Sequence, residues 1–387
     1  MRVLQSFPHK IGAGRICSTA WYQAAGVAAA GGGVIVMPGA VQRALPPDVL
    51  VRPTLARGRW RIPYKALGHM RAFRLHDRLV ARALPRLSGR IDVVHTWPQG
   101  ALETLKAARR VGIQTVLERP NAHTRFAYEV VRAECERLGV ELPRRHEHAW
   151  NEAVLEREEE EYVLADKILC PSDFVARTFL DQGFAKERLL RHVYGYDDAV
   201  FHPTSVTREP GDGLTLLFVG VCAVRKGVHF ALEAWLASPA SRSGTFLIAG
   251  EFLPAYADRL AAMLEHPSVH VLGHRSDVPE LMRRSDALVL PSIEEGFPLA
   301  CVEALGSGCV PLVSDACDEA CVHGQNALVH QVGDVEALAQ QITALSEDRA
   351  LLARLRAAAR DSARRLTWAE AGVRLLDAYR ESLVSDS

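Results

Sequence analysis

Two glutamates eight positions apart, Glu295 and Glu303, frame the stretch of this chain best suited to chemistry. The apolar run Leu288-Val289-Leu290 reads as a buried strand, and Pro291-Ser292 opens a turn at its end. Glu294-Glu295-Gly296-Phe297-Pro298-Leu299-Ala300-Cys301-Val302-Glu303 follows, then Gly306-Ser307-Gly308 and a second strand from Cys309 to Val313. Pro298 lacks an amide hydrogen and has its φ already set, so it fits the first helical position and leaves Gly296 and Phe297 just ahead of the helix. Amides at such a start point, with the positive end of the helix dipole, beyond the C-terminal edge of the sheet, where an anion sits well. Either acid alone reads as part of a solvated face. Glu295 lies outside the helix and Glu303 on its second turn, so one ligand reaches both only if it is long. A nucleotide sugar has that form, with its diphosphate on the amides, the sugar at one end and the ribose at the other.

Other stretches carry groups that suit the same ligand. After the strand Leu214-Val219 comes Gly220-Val221-Cys222-Ala223-Val224-Arg225-Lys226-Gly227. Gly220 frees the backbone at a strand end, and Lys226 supplies a cation beside the next helix start, as a diphosphate leaving group requires. Glu118-Arg119-Pro120-Asn121-Ala122-His123-Thr124 follows the strand Ile113-Leu117. Proline stops that strand, and His123 falls in a loop where an imidazole hydrogen-bonds without being buried. Gly12-Ala13-Gly14, after the first strand, is a lone G-x-G that a tight turn explains equally well.

The string Glu295-Gly296-Phe297-Pro298-Leu299 with Glu303 resembles the E-x7-E signature of the retaining GT-B glycosyltransferases grouped as family GT4. The resemblance implies an α/β fold of two doubly wound Rossmann-like domains facing across a cleft. It implies that Glu295 contacts donor-sugar hydroxyls, that Gly296 through Leu299 hold sugar and diphosphate, and that Glu303 hydrogen-bonds the ribose. Lys226-Gly227 matches the family's phosphate loop, but Val221 stands where the family arginine often does, and Arg225 is the candidate replacement. By the same resemblance His123 meets the donor sugar near the reacting carbon, Gly273 and His274 frame the base through main-chain contacts, and Gly12 and Gly14 close on the diphosphate. The implied activity moves a sugar, with retention, from a nucleotide-diphosphate sugar to an acceptor hydroxyl on a glycan, a lipid-linked or a small-molecule acceptor. No Asp-x-Asp clamp follows a strand, so no metal and no cofactor are expected, and Lys226, Arg225 and helix amides meet the leaving-group charge. Alternatives are a GT-B sugar-nucleotide epimerase and a catalytically silent nucleotide-sugar binding protein. A Rossmann dehydrogenase is disfavoured, because the first strand lacks G-x-G-x-x-G and its distal acid.

The elements that must position these residues alternate strand and helix, which implies parallel sheets with ligands at the C-terminal strand ends. A length of 387 residues suits two such halves. In the first, strands are expected at 2–7, 34–37, 91–95, 113–117, 167–170 and 189–193, the first stopping at Pro8. The expected domains are 1–203, with a C-terminal helix 367–384 packing back on it, and 204–366, joined by a linker from Pro203 to Gly213. The apolar stretch Trp21 to Met37, broken by Gly26 and Gly31-Gly32-Gly33, reads as helix, turn and strand, and no signal peptide is read at the start. Eight scattered cysteines without a C-x-x-C pair suit reduced thiols in the cytoplasm. A net charge of zero gives no global attraction to nucleic acid. Between Arg52 and Arg90, however, eleven basic residues face only Asp77. From Ala66 to Leu87 the arginines recur every three or four residues, as on one face of an amphipathic helix, either solvated or docked peripherally on the anionic inner surface of a membrane. The acidic stretch Glu152 to Glu161 reads as a solvated helical face or as a partner of the basic helix.

Overall fold

The computed structural model describes residues 1–57, 60–62, 67–203 and 213–384. Residues 204–212 of the expected linker from Pro203 to Gly213, and Arg59, Lys65 and Ala66 of the basic stretch, lie outside these residues. The chain divides into two compact units: Met1–Thr124 with Asn151–Tyr194 and Trp368–Ser387, and Arg125–Trp150 with Gly195–Thr367. Residues 125–150 and 195–203, contiguous with the first half in sequence, therefore cluster with the second unit.

In the first unit the strands are β1 (Arg2–Ile11), β2 (Gly33–Val41), β3 (Leu50–Val51), a short antiparallel pair β4 (Ala56–Arg57) and β5 (Trp60–Arg61), β6 (Val93–Thr96), β7 (Gln114–Glu118), β8 (Lys167–Cys170) and β9 (Leu189–Arg191). Apart from β4 and β5 they form one parallel sheet in the order β3-β2-β1-β6-β7-β8-β9. Contrary to expectation, β1 does not end at Pro8. It continues to Ile11 with a register shift against β2 between Phe7 and Lys10, so the proline, which has no amide to give, sits in the irregularity.

Gly26 does not break the first helix either. Ile16–Ala29 runs through it, and a Cβ on Gly26 would lie 2.9 Å from the Cα of Gly372 in the C-terminal helix Trp368–Val384. Paired glycines let the two backbones cross in near contact, and Tyr22 stacks on Trp368 beside the crossing with ring centroids 4.8 Å apart.

Charged helices of this unit are built in the reverse sense to a surface reading. The helix His69–Leu87 buries Ala72, Phe73, Val80, Leu84 and Leu87 and exposes Arg71, Arg74, Arg78, Arg82 and Arg86 along one face. Its single acid, Asp77, points inward, accepts from Glu103 N, Thr104 N and Thr104 Oγ1 at the start of the helix Leu102–Arg110, and pairs with Arg157 at 2.7 Å. The acidic helix Glu152–Leu164 is not a solvated face throughout: Glu158 and Glu161 are buried, and Glu161 accepts from the amides of Gln99, Ala101 and Leu102. An acid that terminates another helix's free amides satisfies donors that would otherwise be orphaned.

The second unit holds β10 (Thr215–Val219), β11 (Thr245–Ala249), β12 (Val269–Val271), β13 (Ala287–Leu290), β14 (Val310–Ser314) and β15 (Leu328–His330) in one parallel sheet, ordered β12-β11-β10-β13-β14-β15. Strands β10, β13 and β14 are nearly continuous in apolar residues because both faces are covered. All eight cysteines are free thiols. No helix among the described residues is long and apolar enough to cross a membrane.

Replacing Gly372 by Val forces a side chain into the Gly26 backbone. Overpacking of this kind costs about 1–3 kcal/mol, so the urea midpoint of Gly372→Val should fall clearly below wild type. An unchanged midpoint would mean that the two helices do not touch there.

Candidate active site

In an open parallel sheet, ligands sit beyond the carboxyl ends of the strands where the strand order reverses. In the second unit that point lies between β10 and β13, and the loops 220–227 and 291–298 leave from it. Two features staple the loops together. Gly227 has φ 65° and caps the helix Val228–Ala237, and a Cβ there would come within 2.0 Å of the Pro291 carbonyl oxygen. Ile293 N donates to Arg225 O at 2.8 Å.

The staple brings the charged side chains together. Arg225 and Lys226 lie on the short turn Val224–Lys226. Arg225 Nη1 donates to the Glu294 carbonyl at 2.8 Å and stands 3.4 Å from both Glu294 Oε2 and Glu295 Oε1. Lys226 Nζ pairs with Glu295 Oε2, and Ser292 Oγ approaches the same oxygen at 3.5 Å. Both glutamates are buried, Glu294 completely. Burial alone would raise the Glu295 carboxyl, but Lys226 and Arg225 outweigh it and hold its pKa below the usual value. Burial likewise opposes the charge on Arg225, yet Glu295 and Glu294 keep its pKa above the ordinary value. Val221, in contrast, is 40% exposed. Arg225 thus joins Lys226 in the cation pair that the sequence left open.

The helix after the loop is Leu299–Ser307, and Pro298 is its N-cap, one position earlier than expected, with ψ 85° outside the helical range. Leu299 N and Cys301 N are taken up by the carbonyls of Phe297 and Pro298, at 2.9 and 2.8 Å. The Gly296 and Ala300 amides have no acceptor among the described residues. Glu303 sits on the second turn, partly buried, with no hydrogen bond or ion pair among the described residues. Burial pushes its carboxyl up to about 8. The Gly306-Ser307-Gly308 turn begins later than its first residue: Gly306 and Ser307 are still helical, and Gly308 is the left-handed cap at φ 76°.

Gly273, at φ 64° and half-buried, and His274, exposed, follow edge strand β12, and among the described residues no hydrogen bond or ion pair joins them to the Arg225–Glu295 cluster. In the first unit, Gly12 at φ 77° is glycine because a Cβ would meet Arg43 Cβ at 2.5 Å, whereas Gly14 at φ 90° faces open space. His123 departs from expectation: it is 2% exposed, its ring packed among Tyr162, Phe179 and Phe184 at centroid distances of 4.9 to 6.0 Å. Tyr162 and Phe179 come from the helices Glu152–Leu164 and Asp173–Asp181 and Phe184 from the turn after the second, so the loop histidine is enclosed instead of solvated.

Two further residues enter the cluster without a sequence signal of their own. Glu294 is one, although a glutamate doublet at a buried strand end already demands nearby cations. His148 is the other, its Nε2 3.4 Å from Glu294 Oε2. It belongs to Arg125–Trp150, which is bound to the second unit through Glu134 on His229 Nε2 at 2.8 Å, His229 Nδ1 on Tyr256 OH at 2.6 Å, and Arg259 Nε donating to Leu138 O at 3.0 Å.

Comparison with known proteins bears on this architecture. Residues 213–348 match the family described as Glycosyl transferases group 1. Ninety residues are 39% identical to N,N'-diacetylbacillosaminyl-diphospho-undecaprenol alpha-1,3-N-acetylgalactosaminyltransferase of Campylobacter jejuni, covering 23% of this chain and 24% of that protein. The chain therefore spans about a quarter of the length of that relative. Sucrose-phosphate synthase from Thermosynechococcus elongatus matches the fold with a TM-score of 0.70 at 17% identity, over 100% of this chain and 99% of its own. Anabaena HepE, in complex with UDP-glucose, matches with a TM-score of 0.65 at 17% identity over the whole of both chains. The fold is that of the GT-B glycosyltransferases. The group 1 match over residues 213–348 agrees with the resemblance to a GT4-like glycosyltransferase.

Glu303 offers a measurable signature without any ligand. Its folded value, about 8, lies above the unfolded value of 4.5, so the folded protein retains a proton the unfolded chain has released. Stability from this group therefore falls as pH rises from about 4.5 to about 8. Glu303→Gln should melt higher than wild type at pH 8.5, with the gap closing toward pH 5. Parallel melting curves at both pH values would show that Glu303 titrates normally.

Proposed function

We propose that this protein is a retaining, metal-independent glycosyltransferase that moves a sugar from a nucleoside diphosphate sugar to an acceptor hydroxyl. The observation that carries the reading is the Arg225–Lys226–Glu295 cluster at the strand-order reversal of a group 1 domain. In the free protein two cations are neutralised by two carboxylates. A diphosphate competes for Lys226, and its withdrawal frees Glu295 to accept from sugar hydroxyls. Glu303, without a partner among the described residues, is left for the ribose diol. As the bond from the anomeric carbon to the phosphate oxygen breaks, Arg225, Lys226 and the free helix-start amides meet the charge that develops on the leaving group. The acceptor oxygen bonds to the same face, and its proton passes to the departing phosphate. Glu295 positions the sugar in this scheme and forms no covalent adduct. No step is assigned to His123, whose ring is enclosed.

Calorimetric titration with the uridine, guanosine, adenosine and thymidine diphosphates and their sugars, in chelator and in magnesium, tests the reading. One series should bind equally in both buffers, and Glu303→Ala should weaken it about tenfold, equivalent to ~1.4 kcal/mol. Glu295→Ala should lower turnover about 100-fold or more, the scale of losing one transition-state contact. Absence of binding throughout the panel would require the reading to be withdrawn.

The acceptor is proposed to be lipid-linked, on the anionic inner face of a membrane in the cytoplasm. Support comes from the exposed row Arg71, Arg74, Arg78, Arg82 and Arg86, and from the Campylobacter relative, whose name specifies a diphospho-undecaprenol substrate. Each basic residue near an anionic surface contributes about 1 kcal/mol. The triple change Arg74→Gln, Arg78→Gln and Arg82→Gln should therefore weaken binding to phosphatidylglycerol vesicles by roughly 100-fold and leave nucleotide affinity unaltered. Equal sedimentation of both proteins would remove this part of the proposal.

A further inference from the structure

We propose that the cavity between the helix Thr124–Leu138 and the loop 139–150 binds a neutral pyranose, at a second place beside the Arg225–Lys226–Glu295 cluster. The choice of a saccharide rests on the glycosyltransferase reading, whereas the cavity itself does not.

A volume of about 440 Å³ puts the cavity in the range of small-molecule sites, and its lining lies wholly within residues 132–150 of the second unit. Its buried and half-buried walls, Cys135, Val140, Leu142 and Ala149, are apolar. Burial, aided by Glu134 and Glu136, pushes the Cys135 thiol up to about 11, so it serves as a neutral wall. Polar groups enter the lining in two places. His148 is 4% exposed, and its Nδ1 is buried with no hydrogen-bond partner among the described residues, the Glu147 carboxylate at 3.7 Å being out of range. With a hydrogen that nitrogen needs an acceptor, and without one it needs a donor. A hydroxyl meets either need. At the exposed side, Arg132 lies over the Trp150 ring, 4.7 Å from its centre, and 3.9 Å from Glu136. Glu141, also exposed, has no hydrogen bond or ion pair among the described residues.

These features select the ligand class. Arg132 is set against two carboxylates, Glu136 and Glu141, so the lining gives an anion no net attraction. An apolar ligand would leave His148 Nδ1 unmet in a buried place, which costs free energy. A pyranose carries hydroxyls around its edge and C–H groups on its faces, and apolar walls with polar groups at two ends match that form. Carboxylates accept strongly from hydroxyls, and Trp150 adds an apolar surface at the rim. The walls are also held in place by the chain itself. Val140 N donates to Cys135 O at 2.9 Å and Ala149 N to His146 O at 3.0 Å, while Glu134 anchors the helix to His229. His148 borders the cluster as well, its Nε2 3.4 Å from Glu294 Oε2, so a sugar in the cavity is one side chain away from the carboxylate pair.

Saturation-transfer NMR titration of the full chain tests the site, with the methyl glycosides of glucose, galactose, N-acetylglucosamine and N-acetylgalactosamine, and with maltose and chitobiose. At least one of these should bind wild type. Ala149→Phe, which fills the cavity, should abolish that binding, and Glu141→Ala should weaken it about tenfold, the worth of one hydrogen bond to a charged group. A disaccharide that binds more tightly than its monosaccharide supports a glycan chain as the source of the pyranose, and equal affinities support a free sugar. Should Ala149→Phe not fold by circular dichroism, Trp150→Ala is read by the same criterion. The proposal is overturned if no saccharide binds wild type, or if binding survives Ala149→Phe; loss in Glu295→Ala alone puts the sugar in the donor cluster instead. Titration of the same wild-type sample with UDP and the guanosine, adenosine and thymidine diphosphates separates the two readings. Diphosphate binding without saccharide binding defeats this inference alone. Saccharide binding that Ala149→Phe abolishes, without diphosphate binding, upholds the cavity and defeats the donor-site reading.

Discussion

Two adjacent carboxylates with almost no access to water, Glu294 and Glu295, are the constraint on which the second unit is built. Neighbouring like charges in a low-dielectric site neutralise unless cations are fixed beside them. Arg225 and Lys226 supply those cations, and they reach the carboxylates because Gly227 lets one loop pass within van der Waals range of the Pro291 carbonyl of the other. Any Cβ at that point separates the loops and strands the glutamates. A residue with no side chain thereby governs an electrostatic arrangement, through distance and not through charge.

The first unit handles buried charge by a different device, the inward carboxylate that terminates hydrogen-bond donors. Glu118, at the end of β7, accepts from Gln23 Nε2 and Tyr194 OH, both at 2.8 Å, and faces His192 and His95. Burial opposes its charge, but the two imidazoles hold its pKa well below the usual carboxylate range. His95 Nδ1 in turn meets Tyr379 OH at 2.7 Å, so the C-terminal helix is tied to the centre of the sheet by a polar contact as well as by the Gly26–Gly372 crossing. Asp77 and Glu161 perform the same service at the start of Leu102–Arg110. With the acids committed to interior donors, the arginines of His69–Leu87 are left as a uniform outward row.

What the sequence revealed was whatever depends on neighbours along the chain. The strand, loop, helix and strand from 287 to 314 follow from uninterrupted apolar runs around a proline and a glycine turn, and Lys226-Gly227 follows from a strand end next to a helix start. What stayed hidden depends on partners brought from elsewhere. Arg225 could be named but not aimed, because its direction is set by the Glu294 carbonyl. Enclosure of His123 is due to Phe179 and Phe184, and inward rotation of Asp77 to Arg157. Gly26 read as a breaker because its reason for being glycine lies in Gly372. His148 carried no local pattern at all.

Contiguity misleads most where the chain passes between units. Residues 125–150 are tethered on both sides to first-unit segments, yet Val131, Cys135, Leu138 and Val140 are part of the second unit's core, and burial outweighs connectivity. The later passage is secured by pairing: Tyr196 N donates to Leu366 O at 3.0 Å and Tyr196 bridges Thr367, so outgoing and returning segments run side by side. The Tyr196 ring then lies against Gly306, where a Cβ would come within 2.4 Å of it. Gly306 sits on the helix that carries Glu303, one turn further along. Its glycine is therefore a packing requirement of the crossover, while the turn is made by Gly308 alone, and the position of Glu303 is fixed from the side of the crossover as well as from the sheet.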